Sequence, residues 1–226
     1  MRLRAWSASA VGMAAAGLVG WSAARPGPPL AGPSRDEVAA IMARPVGLLP
    51  LRSLDLATDR GRRVRTYEFA GAMPAGGDPV ELEALFLTVW GAGHRIIRVS
   101  GTDPQCNCHG WTFAGGRCWL QSDEAEAILA ENGYALAAGP RPGDVVAYRT
   151  PDGRVCHTGV VVGVSRGGEV VVESKWAWLG VFVHPAAAQP YAANWGYYRS
   201  GRVGNDLTGP ARPPARAGSL DRPRDG

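Results

Sequence analysis

The texture of the chain changes at residue 142. Beyond Pro142-Gly143-Asp144, apolar residues come in short runs divided by turn signals. Residues 145–148 (Val-Val-Ala-Tyr), 155–164 (Val-Cys-His-Thr-Gly-Val-Val-Val-Gly-Val) and 170–174 (Val-Val-Val-Glu-Ser) predict three strands. Pro151-Asp152-Gly153 and Arg166-Gly167-Gly168 are turn sequences between them. Connections this short predict an antiparallel meander. Upstream, helices are expected. Asn107 is a good N-cap for a helix over 108–113, and Gly115-Gly116 ends it. Asp123 and Glu126 give a capping-box-like start to a helix over 123–132, stopped by Gly133. Residues 36–43, behind Ser34 and before Pro45, and residues 80–90 predict two more. Residues 64–69 and 94–100 predict strands. Residues 46–62 mix apolar residues with Pro, Gly and Arg and predict no element. The aromatic residues beyond 175 read mostly as core, with Trp176 and Trp178 as candidates to line a groove.

Composition adds a destination. The 226 residues suffice for one ordinary domain plus ends, and a hydrophobic fraction of 46% suits a packed globule. The net charge of +4 comes without a dense basic run, and no nucleic-acid recognition motif is present. Residues 1–24 have a basic start, an uncharged run rich in Ala, Val and Gly, and small residues at Ser22-Ala23-Ala24. They read as a signal peptide or an N-terminal anchor. The expected location is therefore secreted or cell-envelope, with membrane contact only through an uncleaved N-terminal segment. Residues 25–34 are a Pro-rich linker, 35–99 an N-terminal extension of unassigned role, 100–200 the main domain, and 201–226 a tail expected to be disordered.

Chemistry concentrates in Gln105-Cys106-Asn107-Cys108-His109-Gly110-Trp111. A thiol attacks a carbonyl as a thiolate, whose pKa falls at a helix N-terminus and beside an imidazolium. With Asn107 as N-cap, Cys108 stands in the first turn, where free N–H groups and the helix dipole favour negative charge and can hold an oxyanion. Cys108 is the candidate nucleophile. His157, early on the longest strand, is the candidate base, and Gly159 leaves room on its face. Glu173 is the expected third catalytic group, orienting His157. Ser174 is its neighbour on the opposite face, and a one-residue register slip exchanges them. Asn107, His109, Gly110, Trp111, Ser174 and Trp176 are the candidate substrate contacts.

These residues resemble a known family. Asn107-Cys108-His109-Gly110-Trp111 is similar to the Asp/Asn-Cys-x-Gly-aromatic motif of NlpC-type cell-wall cysteine peptidases, members of the papain-like amidohydrolase superfamily. Pro142-Gly143-Asp144-Val145-Val146 resembles the entry to their first core strand, and His157-Thr158-Gly159-Val160-Val161-Val162 their His-x-Gly strand. The likeness covers roughly residues 100–200. His109 departs from it, standing where the family has a small hydroxyl residue, and the third catalytic position is not clearly matched. The resemblance implies an α+β, papain-like fold: an antiparallel sheet with the nucleophile helix packed on one face. It also implies a thiol amidohydrolase acting on peptide or peptidoglycan stem substrates without metal or cofactor. The alternative is a non-catalytic envelope-binding or structural module on the same fold. Its four cysteines (Cys106, Cys108, Cys118 and Cys156) would then be paired. A zinc site built from these cysteines with His109 and His157 has enough ligands but poor spacing.

Overall fold

A computed structural model describes residues 46–71, 78–89 and 95–209, together with Ser34, Glu37, Ala40 and Ile41. Residues 1–33, which include the expected signal segment and most of the linker, and residues 210–226 lie outside the described residues. The elements in chain order are β1 (Leu48–Pro50), β2 (Leu56–Ala57), β3 (Arg63–Val64), β4 (Tyr67–Phe69), α1 (Pro79–Val89), β5 (Ile97–Ser100), α2 (Cys108–Ala114), α3 (Ser122–Glu131), β6 (Ala135–Leu136), β7 (Val145–Arg149), β8 (Val155–Val164), β9 (Val170–Lys175), β10 (Val181–Pro185) and β11 (Asn194–Arg199). Helices and antiparallel sheet occur together, so the fold class is α+β.

One antiparallel sheet has the strand order β5-β10-β9-β8-β7-β11-β6. The expected meander is its centre, with β7, β8 and β9 side by side. The sequence pattern missed β10 and β11. β10 extends the meander beyond β9, whereas β11 pairs with β7 on the far side of β8. The chain between them, residues 186–193, must therefore cross the sheet past β9 and β8. It does so on one face, where Ala186 packs with Val146, Tyr148 and Val172, and the Tyr148 hydroxyl donates to the Ala186 carbonyl at 2.9 Å.

The other face carries the helices. Strand side chains alternate between faces, so Val145 and Ala147 of β7, with Val155, meet Phe113 and Ala114 of α2 and Ala125, Ile128 and Leu129 of α3. A further core joins Trp176, Trp178, Leu179 and Phe182 to Trp119 and to Phe86 of α1.

Several expectations change. Residues 46–62 contain β1 and β2, which pair with β4 and β3. The single strand expected over 64–69 is thus two pieces belonging to different ladders. Leu56 and Val64 lie in the helix-side core, while Leu48 and Tyr67 pack around Trp119, so much of the extension is core. The capping box proposed at Asp123 does not form. The N-cap of α3 is Gln121, with no side-chain bond, and Asp123 and Glu124 instead pair with Arg65. Ser34 does cap, with the Glu37 N–H donating to its hydroxyl at 3.3 Å and the Ser34 N–H donating to the Glu37 carboxylate at 2.7 Å. The ordered core also runs past residue 201. Leu207 is buried and its N–H donates to the Phe113 carbonyl at 2.7 Å. Burial of a leucine side chain stabilises by about 2 kcal/mol.

Candidate active site

α2 begins at Cys108 because Asn107 caps it. Its backbone is extended, and Oδ1 accepts from the Gly110 N–H at 2.9 Å and the Leu120 N–H at 3.2 Å. Nδ2 donates to the Leu120 carbonyl at 2.7 Å. The Asn107 amide is therefore committed to cap and tie, leaving little for a substrate. Gly110 is also structural. A Cβ there would lie 1.7 Å from the Cys118 carbonyl oxygen, so the residue permits the 118–120 segment to approach the helix. Gly115, at φ +57°, closes α2 in the left-handed conformation.

Cys108 is 5% exposed. Burial pushes its thiol up to about 12, and the N–H groups of Thr158 and His109, directed at Sγ, pull the other way. Of these two, only the His109 N–H belongs to the helix start, and desolvation outweighs both.

Sγ lies near the start of the β8–β9 ladder. Their ladder begins at Val160 and Glu173, and the Thr158 N–H held by Sγ lies two residues before it. The side chains of β8 then divide. Thr158 faces α2, where its hydroxyl contacts His109 Nδ1 at 3.0 Å and Thr112 at 3.1 Å. With Thr158 donating to Thr112, His109 donates from Nδ1, and Nε2 is left as the acceptor, 3.5 Å from the Ser122 hydroxyl. Burial holds His109 down to about 4.

His157 points to the opposite face, the one crossed by residues 186–193. Its ring lies 5.3 Å from Tyr148 and stacks on Tyr191, with centroids 3.8 Å apart and planes 10° apart. It is fully buried, and neither nitrogen has a hydrogen-bond partner among the described residues. Burial, then the neighbouring His184 and His109, hold it well below the ordinary histidine range. An imidazolium–thiolate pair is therefore absent from this conformation.

Register decides the question of the third residue. Glu173 lies opposite Val160. By alternation it shares the α2 face with Thr158, away from the His157 ring. Ser174 shares the face of His157 and Gly159, and a Cβ on Gly159 would stand 2.8 Å from the Ser174 Cβ. The Ser174 hydroxyl is already engaged, however. It lies 2.8 Å from His184 Nε2 and accepts from Trp176 Nε1 at 3.1 Å. His184 Nδ1 donates to the Pro185 carbonyl at 2.9 Å, which makes Nε2 the acceptor for Ser174. Trp176 is fully buried against Phe182 and His184 and lines no groove; Trp178 is buried as well. Trp111 is half-buried and stands outside the Cys108 cavity.

That cavity measures about 360 Å³. Cys108, His109, Ser122, Cys156 and Tyr191 contribute to its walls, with Val46, Leu48 and Ala177 supplying apolar surface. A larger one, about 520 Å³, is lined by residues of the 50–67 segment and contains no cysteine or histidine. Chemistry, rather than size, selects the first.

Three participants escaped the sequence reading. Tyr191 carried no local signal. His184 lies on β10, with Nε2 2.8 Å from the Ser174 hydroxyl. Lys175 reads as an ordinary charge, yet it is 1% exposed and donates to the carbonyls of Asp103 at 2.6 Å, Ala177 at 3.1 Å, and Leu179. It ties the turn before Cys106 to the turn after β9, where Ala177 takes a left-handed φ of +47°.

Cys106, Cys108, Cys118 and Cys156 are four separate thiols. Among the described residues no three His, Cys, Asp or Glu side chains converge as a metal site, so the zinc arrangement considered from the sequence is not assembled. No described helix is long and apolar enough to cross a membrane. The chain matches no protein-family model, no curated protein and no solved structure.

Proposed function

We propose that the protein is an exported thiol amidohydrolase with Cys108 as nucleophile. One observation carries this reading: Cys108 opens a helix capped by Asn107, on the wall of a cavity shared with His109 and Tyr191. His157 is the base. It adjoins Thr158, whose N–H holds Sγ, and its uncharged imidazole has neither nitrogen committed to another group. Sγ bonds to the amide carbon as its proton passes to His157, and the carbonyl π pair moves to oxygen. The pair returns, the C–N bond breaks, and His157 delivers the proton to the departing nitrogen. Water then hydrolyses the thioester by the same route. Peptidoglycan stem peptides are the proposed substrate class, on the strength of the three motifs in residues 100–200 and the targeting character of residues 1–24.

The experiment is product analysis by mass spectrometry after incubation with stem peptides. Wild type should cleave an amide. Cys108→Ala should not, and His157→Ala should be slower by about 10²–10⁴-fold. A second reading, the binding module with paired cysteines, draws on the shared cavity of Cys108 and Cys156. A Cys108–Cys156 disulfide in the purified protein, together with no amide cleavage, would establish it instead.

A further inference from the structure

Any acyl transfer at Cys108 must stabilise an oxyanion, and the donors near Sγ can be counted. The Gly110 N–H is bonded to Asn107 Oδ1, and the Trp111 N–H to the Asn107 carbonyl at 2.8 Å. The N–H groups of His109 and Thr158 are turned toward Sγ itself. Asn107 Nδ2 is held by Leu120, and Trp119 Nε1 donates to the Pro104 carbonyl at 2.6 Å. In the first turn of α2 this leaves the N–H of Cys108, and one donor is a weak oxyanion site. Of the remaining side chains on the cavity wall, Gln121 is solvent-exposed and Ser122 faces His109.

Tyr191 is different. Its ring forms part of the wall that contains Cys108, and it is held in place by the His157 stack. Its hydroxyl is buried and has no hydrogen-bond partner among the described residues. Buried polar groups are nearly always satisfied, and the exceptions cluster where a ligand or reacting group completes them. Tyr191 lines the same cavity as Cys108 and Cys156.

We propose that Tyr191 donates its hydroxyl hydrogen to the oxyanion formed when Cys108 adds to a carbonyl, serving as the second oxyanion donor beside the Cys108 N–H. The proposal rests on Cys108 being the nucleophile. As Sγ bonds to the carbonyl carbon, the π pair becomes an oxygen lone pair and accepts from Tyr191 Oη. The phenol keeps its proton throughout, because burial holds its pKa well above the ordinary tyrosine range. The flat stack on His157 holds the phenol ring in place.

The test compares two reagents at Cys108. Iodoacetamide alkylates sulfur by displacement and forms no oxyanion. N-acetylalaninal, a small peptide aldehyde, adds to the thiol and forms one. Alkylation of Cys108 is followed by mass spectrometry at pH 9, with and without the aldehyde, in wild type and Tyr191→Phe. The variant keeps the ring and the stack. The expected result is an aldehyde-free alkylation rate within twofold of wild type, and at least tenfold more aldehyde needed for equal protection. Equal protection in both proteins would overturn the proposal. So would a variant slowed equally toward both reagents, since that marks Tyr191 as packing alone. If wild-type Cys108 neither alkylates nor is protected, the nucleophile reading itself fails and the Tyr191 assignment falls with it.

Discussion

The imidazole of His157 lies flat on the ring of Tyr191, 3.8 Å between centroids and 10° from parallel. The two residues are 34 positions apart and meet because the β10–β11 connection crosses the sheet. The contact buries a titratable ring on the face away from α2, while Tyr191 also lines the cavity of Cys108. A neutral resting site follows, with Cys108 as thiol and His157 as imidazole.

Alkylation reports that state. Because burial pushes the Cys108 thiol up to about 12, its labelling by iodoacetamide should be slow at pH 7 and still climbing at pH 10. His157→Ala should leave this profile unchanged while slowing amide turnover, since a base proposed to accept a proton only during attack is not a standing counter-ion. A plateau below pH 8 that disappears in the variant would reveal a preformed ion pair and contradict the neutral site.

Three buried histidines make stability depend on acidity. His109 and His184 are held down to about 4, and His157 well below its ordinary value, in each case first by burial. Unfolded, each binds a proton near pH 6.5. Below that pH the unfolded chain carries more protons, so stability is lost as pH falls. At pH 5 the loss is about 2 kcal/mol per histidine. Thermal unfolding midpoints should drop between pH 7 and pH 5, with roughly a third of the slope removed in His157→Leu. A flat profile would mean that the rings are accessible to protons in the folded protein.

Gly110→Ala tests the packing of the capped helix. The new methyl would meet the Cys118 carbonyl at 1.7 Å, and that atom belongs to backbone that also pairs with β4. Destabilisation by about 3 kcal/mol or more is expected in urea titration. A neutral substitution would indicate that residues 118–120 move away freely.

Lys175→Met should loosen the strap beneath the site. The methionine matches the stem but leaves the carbonyls of Asp103, Ala177 and Leu179 without their shared donor. A loss of about 2–3 kcal/mol is expected, with faster proteolysis near residues 103–106. Wild-type resistance at both turns would show that the ammonium is dispensable.

Local chemistry determined much of this protein. Asn107 can accept from the N–H three residues on, so α2 begins at Cys108 wherever the rest of the chain goes. The valine runs with their Gly-containing turns specified β7, β8 and β9 as neighbours, because short connections allow little else. The cysteine at the helix start and the histidine on the long strand were visible for the same reason. Only the tertiary structure decided what surrounds them. A β-strand turns every side chain over with a one-residue shift, so Glu173 against Ser174 awaited the Val160–Glu173 pairing. Residues 46–69 carry weak patterns, and their strands form by closing on Trp119 and the helix-side core. The sign of the Cys108 shift awaited its burial, since desolvation depends on what packs above a residue rather than on its neighbours in sequence. Tyr191 reached His157 through a strand order that places β11 beside β7, and pairing between distant strands leaves no signature in either one alone.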